Sequence, residues 1–264
     1  MSRGGGQHLL ELVSGPYRLP CEFWEPERSS REAGVSLVLC HGSTLKGMRH
    51  ELIRHLARSL SARWPVLAFD LPGFGRAPRL VIERVDDYLF ARHVLAAAEL
   101  AVELTGKPSV LVGHSMGGRV SLQAAAEGQR TGLVAGVITL AGLYELPTDP
   151  GEMLKLVMDF ASFVRVSFRM PMERLAEEVA RLNPTRRAVE ALEVPLLAVE
   201  GGREQYEFIR RSRYRLFRTA RCPKTLVLLG HADHKFKGCY DELTSILMSW
   251  LIGEFEGEKE GKRG

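Results

Sequence analysis

Four cysteines in 264 residues are too few for a disulfide framework, and none of Cys21, Cys40, Cys222 and Cys239 stands in C-x-x-C spacing. This argues against a disulfide-stapled scaffold and against the usual zinc ribbons. Cys40 falls in an apolar run, where a reduced, buried thiol is expected. A Cys222–Cys239 bridge stays open at this level. Long apolar runs are also missing: no stretch approaches 18 residues, and the first twelve residues hold no apolar h-region. Neither a membrane span nor a signal peptide is expected, and with reduced thiols this points to a cytoplasmic protein. A large excess of charge of one sign is missing as well. There are 36 basic against 32 acidic side chains, a net charge of +4. That surplus is mostly arginine spread over a long chain, and it does not call for nucleic acid. No internal repeats are present.

What is present is a hydrophobic fraction of 45%, enough for a large core in one α/β domain with an insertion. After a glycine-rich leader (1–6), residues 8–13 and 17–24 read as two strands joined by Ser14-Gly15-Pro16. Pro20 marks the second as an edge or a bulge. Residues 26–34 are polar and form a loop. The short apolar run at 35–40 reads as a strand covered on both faces, and the runs at 65–69, 110–112, 134–140, 194–199 and 224–229 read as further strands. Between them lie helical stretches at 48–64, 85–105, 116–127, 205–221 and 240–255. This alternation predicts an α/β fold: a doubly wound, mostly parallel sheet of about eight strands. The core comprises 1–142 and 193–257. Residues 143–192 interrupt the alternation and read as three helices (150–168, 172–182, 184–192) with no clear strand. Residues 258–264 form a charged tail.

Residues 108–118 read P-S-V-L-V-G-H-S-M-G-G. An apolar strand runs into Gly113-His114-Ser115-Met116-Gly117, and a small-residue helix follows. G-x-S-x-G in that context is the turn that lifts a serine above the carboxyl end of a parallel sheet. Gly113 and Gly117, which lack Cβ atoms, leave room for it. Ser115 is therefore a candidate nucleophile. A serine hydroxyl needs a base, and the base needs an orienting carboxylate. In this arrangement the chain order is serine, acid, histidine. The strand at 194–199 ends in Glu200-Gly201-Gly202-Arg203-Glu204. The strand at 224–229 ends in Gly230-His231-Ala232-Asp233-His234.

With these residues in view, the chain resembles the α/β-hydrolase superfamily, in its lid-bearing, esterase and proline-iminopeptidase-like branch. The resemblance rests on V-L-C-H-G at 38–42, D-L-P-G-F-G at 70–75, G-H-S-M-G-G at 113–118, V-P-L-L-A-V-E-G-G-R-E at 194–204 and A-D-H-K-F at 232–236. It spans residues 35–250. It implies Ser115 as nucleophile, His234 rather than His231 as base, and Glu204 as acid, where aspartate is more usual. Glu200 and Asp233 remain alternative carboxylates. It further implies an oxyanion hole from the backbone N–H groups of Ser43 and Met116, a loop-anchoring His41, and 143–192 as a helical lid over Ser115.

Three other features are set aside. Residues 42–47 lack the spacing of a phosphate loop. The arginines at 210–221 read as a solvated helix face. H-A-D-H at 231–234 holds part of a metal-binding spacing, but the further partners are missing, so no metal and no organic cofactor is expected. The Met/Phe-rich stretch at 153–170 suits both core packing and an apolar pocket. The expected activity is serine hydrolysis of a carboxylic ester, thioester or small amide. The expected partner is a small molecule with an apolar acyl or aromatic group, not nucleic acid. C–C hydrolysis, aminopeptidase activity and a non-catalytic ligand-binding role are the alternatives.

Overall fold

The computed structural model describes residues 6–26 and 33–256. The expected leader up to residue 5, residues 27–32 of the polar loop, and the 258–264 tail lie outside the described residues.

β1 (Gln7–Ser14) and β2 (Tyr17–Trp24) form an antiparallel hairpin that closes with Ser14 opposite Tyr17. Gly15 takes φ +57° and Pro16 a negative φ. A positive φ at the first central position alone is the type II′ pattern, whose twist matches the flanking strands. Then come β3 (Ser36–Cys40), α1 (Glu51–Leu60), β4 (Val66–Phe69), β5 (Leu80–Ile82), α2 (Val85–Leu89) and α3 (Ala91–Thr105). Next are β6 (Ser109–His114), α4 (Met116–Gly128), β7 (Val134–Leu140), α5 (Pro150–Phe163), β8 (Val166–Phe168), α6 (Met172–Leu182) and α7 (Pro184–Glu190). The chain closes with β9 (Leu196–Gly201), α8 (Glu207–Thr219), β10 (Lys224–Leu229) and α9 (Tyr240–Phe255).

The main sheet has eight strands in the order β1-β2-β4-β3-β6-β7-β9-β10. All neighbours from β4 to β10 are parallel, and the first two pairings are antiparallel. Each face carries a core. Val38 and Cys40 of β3 point into one, Leu37 and Leu39 into the other. This two-sided burial is why the strand reads as a continuous apolar run. Helices α1 and α9 cover one face, and α2 to α8 contribute to the other. The chain runs outward from β3 to β4, then crosses back to β6 on the far side of β3. That reversal opens a crevice at the carboxyl ends of β3 and β6, the usual ligand position in such sheets.

Four local expectations need correction. Pro20 does not lie on an edge strand, because β2 pairs with both β1 and β4. The β4 ladder starts only at Cys21, and Pro20 accepts from Asp70 N–H just beyond it. Its missing donor therefore faces the strand end. The helix at 85–105 is two helices, broken where Phe90 adopts φ +64°. The 48–64 helix is shorter: a 3-10 turn at Gly47–Arg49 precedes α1, which ends at Leu60. The 150–168 helix stops at Phe163, and Val166–Phe168 form a strand parallel to β5. Val164 and Val166 favour extended backbone, but only the distant partner Leu80–Ile82 makes a strand of them.

Among the described residues no helix is long and apolar enough to cross a membrane. All four cysteines are free and buried, so Cys222 and Cys239 are not bridged. Two arginines of α8 engage carboxylates, Arg211 with Glu207 and Arg215 with Glu145 at 3.0 Å.

Candidate active site

Ser115 stands between β6 and α4 with φ +54° and ψ −117°. For a residue with a Cβ such a conformation costs roughly 1–3 kcal/mol. It is held by its own backbone: Ser115 N–H donates to Leu140 C=O at 2.9 Å, and its carbonyl accepts from Gly118 N–H at 3.0 Å. The flanking glycines are required by contact. A Cβ on Gly113 would lie 2.2 Å from the Gly117 carbonyl oxygen, and one on Gly117 would lie 2.3 Å from that of Cys40. Helix α4 thus begins pressed against β3, with its N-terminal dipole behind the serine.

His234 comes from the loop after β10. Its Nε2 lies 3.1 Å from Ser115 Oγ, and its Nδ1 lies 2.7 Å from Glu204 Oε2. Glu204 comes from the loop after β9 and is 2% exposed. Its second oxygen accepts from Tyr206 N–H at 2.9 Å, so both oxygens are engaged. Tyr206 stands edge-on to the His234 ring at 4.9 Å between centroids.

The alternative residues are occupied elsewhere. His231 is exposed and pairs with Glu242 of α9 at 3.0 Å. Asp233 shapes its own loop, accepting from Lys235 and Lys237 N–H at 2.9 and 3.0 Å. Glu200 is fully buried at the end of β9 and accepts a hydrogen bond from the Tyr144 hydroxyl. Burial pushes its carboxyl up to about 8.

Sequence reasoning missed His114, the variable residue of the pentad. Its Nε2 lies 2.8 Å from the carbonyl oxygen of His234, so it donates there and supports the loop from below. Burial lowers its pKa to about 3 and keeps the ring neutral. Nothing in the pentad distinguishes this role from that of any other residue in the slot.

His41 lies beneath the loop carrying Ser43. Its Nδ1 lies 2.7 Å from Gly42 C=O, and its Nε2 accepts from Leu71 N–H at 3.1 Å. These contacts fix the proton on Nδ1, and burial lowers its pKa. Asp70 binds the same region, accepting from Met48 N–H at 2.7 Å and Arg76 N–H at 2.8 Å. The Ser43 hydroxyl donates to Met116 Sδ at 3.3 Å, bringing the two loops together. Among the described residues, neither Ser43 N–H nor Met116 N–H has a hydrogen-bond acceptor.

A cleft of about 600 Å³ lies elsewhere, lined by Arg84, Arg92, Gln123, Arg130 and Arg187 among others. Ser43, Ser115, Met116, Glu204 and His234 do not line it.

Comparison with known proteins bears on the fold and the family. Monoglyceride lipase of Homo sapiens is 31% identical over 142 residues, covering 52% of this chain and 44% of that protein. The chain spans less than half the length of each curated relative it matches. Among solved structures, the esterase domain of a Rhodothermus marinus protein superposes with a TM-score of 0.68 at 21% identity, covering 96% of this chain and all of that one. Est1E from Butyrivibrio proteoclasticus, solved with ferulic acid bound, gives 0.67 at 15% identity over 93% of this chain and 98% of its own. At these identities the likeness to the solved structures is one of fold. The model of the alpha/beta hydrolase family matches residues 37–261, from β3 to beyond α9. With the eight-stranded sheet and the serine turn at its switch point, the chain belongs to the alpha/beta hydrolase family.

Proposed function

We propose that this protein is a serine hydrolase that cleaves a carboxylic ester, or a thioester or small amide by the same acyl transfer, through an acyl-enzyme on Ser115. One observation carries this reading: the line Glu204 Oε2···Nδ1 His234 Nε2···Oγ Ser115, at 2.7 and 3.1 Å, ending on a serine held at positive φ. Glu204 keeps the His234 proton on Nδ1 and leaves Nε2 free to accept from the serine hydroxyl. Ser115 Oγ attacks the carbonyl carbon while His234 takes its proton. The oxyanion is received by the N–H groups of Ser43 and Met116, each such donor lowering the barrier by about 2.7–4 kcal/mol. His234 then protonates the leaving group, and water frees the acyl group with the same histidine as base.

The names of the relatives support an ester substrate. Residues 143–192 act as a lid, with apolar side chains of α5 meeting an apolar acyl or aromatic group. The solvent-exposed Met158 and Phe163 supply apolar surface for that purpose beyond what the core consumes.

Labelling with a fluorophosphonate probe tests the chemistry: the wild type is expected to label and Ser115→Ala not. Folded wild type that fails to label would overturn catalysis at Ser115. Glu204→Gln is expected to retain the fold and lose about 10⁴-fold in kcat, as when a triad carboxylate becomes an amide. A near-normal rate would remove Glu204 from the acid role. A series of p-nitrophenyl esters of rising chain length reads the acyl preference. Intact labelling without turnover of any ester would move the substrate to another bond type.

A further inference from the structure

His231, set aside in the sequence for want of metal-binding partners, has two in the fold. Its ring nitrogen, Cys239 Sγ and a Glu242 carboxylate oxygen all lie within 4.8 Å of one another. Nε2 of His231 is 3.0 Å from Oε2 of Glu242. The thiol forms the floor, 6% exposed, and the imidazole and carboxylate form the open rim, their side chains 56% and 48% exposed. A tetrahedral zinc ion with sulfur at about 2.3 Å and nitrogen and oxygen at about 2.0–2.2 Å holds its ligand atoms roughly 3.3–3.7 Å apart. The three atoms need to move by only about an ångström to reach that arrangement.

We propose that His231, Cys239 and Glu242 form a binding site for a borderline-soft divalent metal of the zinc class, with water as fourth ligand. The donor chemistry selects the ion. Thiolate and imidazole favour Zn²⁺ and its neighbours over Mg²⁺ and Ca²⁺, which demand oxygen. The charges balance: Cys239 loses its S–H proton to solvent on binding, His231 binds as the neutral ring, and the two anions offset the dication. A ligating imidazole uses its second nitrogen for a hydrogen bond, and the His231 side chain, 56% exposed, leaves water as that partner. Among the described residues, Cys239 Sγ donates a long hydrogen bond, 3.8 Å, to the Lys237 carbonyl.

The position gives the site a consequence. His231 and Cys239 stand near the two ends of the loop that carries His234, and Glu242 lies in the first turn of α9. A bound metal would therefore join the loop's ends to each other and to the helix. It would hold that loop without touching Ser115, and this holds whether or not Ser115 is catalytic.

The reduced full-length protein, titrated with Co²⁺ as an optical probe, tests the site. One equivalent is expected to produce a thiolate-to-cobalt charge-transfer band, and Zn²⁺ is expected to displace it. Cys239→Ser is expected to abolish the band. His231→Ala and Glu242→Gln, at exposed positions that do not endanger the fold, are each expected to weaken Zn²⁺ binding by about tenfold or more in calorimetry. No charge-transfer band in the wild type, or variants that bind Zn²⁺ as tightly as the wild type, would overturn the site.

Discussion

Glu200 and Glu204 are four residues apart and both buried, yet their partners differ. Glu204 faces His234, whereas Glu200 lies under the Tyr144 hydroxyl, which also meets Thr139 Oγ1 at 2.8 Å. Burial raises the Glu200 carboxyl from 4.5 to about 8. The folded protein therefore keeps its proton across a range where the unfolded chain has lost it. The contribution of Glu200 to stability falls as pH rises from about 4.5 and levels off above about 8. Glutamine keeps the shape and the acceptor for Tyr144 without the ionisation. The melting temperature of Glu200→Gln minus that of the wild type is thus expected to grow more positive between pH 5 and pH 8. A difference that stays flat across this range would show that Glu200 ionises as an ordinary carboxylate. Nothing in E-G-G-R-E separates the two glutamates by role. Only the family resemblance preferred Glu204, and only the folded loops give each glutamate a partner.

At the scale of elements, the segment between β7 and β9 is fastened to the turn after β4. β8 pairs with β5, and Arg165 reaches across to that turn. Its Nη2 donates to the carbonyls of Phe74, Gly75 and Ala77 at 3.1, 2.8 and 2.7 Å. Phe160 of α5 completes the attachment, packing on Phe74, Tyr88 and Phe90. Guanidinium hydrogen bonds to carbonyls are worth about 1.5–3 kcal/mol together when partly buried. Arg165→Ala is therefore expected to lower the melting temperature by several degrees, while Arg79→Ala, at a more peripheral single bond to Val166 C=O, is expected to change it less. Equal effects would deny the turn its anchor. Most helices and strands were legible from apolar period and glycine stops, as with Gly106, whose φ of +68° ends α3. The β5–β8 pair was not legible, because two three-residue segments some eighty residues apart carry no local signal. The break at Phe90 was equally silent, since a left-handed phenylalanine is held by the packing around it.

At the scale of the whole molecule, His93 and His114, like His41, are buried in the neutral form. Burial lowers His93 and His114 from 6.5 to about 3. Their contribution to stability is present above about 6.5 and is lost as pH falls towards 3, because the unfolded chain then takes up protons that the folded one refuses. Acid unfolding followed by circular dichroism is expected to set in below pH 6.5. Replacing His93 with glutamine, which can still meet Ser14 Oγ, is expected to shift the midpoint to lower pH. An unchanged midpoint would mean that His93 does not drive the transition.

The sequence by itself determined the doubly wound sheet, because two-sided burial writes continuous apolar strands, and it determined the serine turn, because its close contacts admit only glycine at 113 and 117. Tertiary structure decided what spacing does not encode. It set His234 rather than His231 beside Ser115, gave Glu204 the second ring nitrogen, placed His114 under the histidine loop and brought Cys239 to His231. Each of these depends on where separate loops meet at the end of a sheet, and that meeting is fixed by strand order and packing, not by any local run of residues.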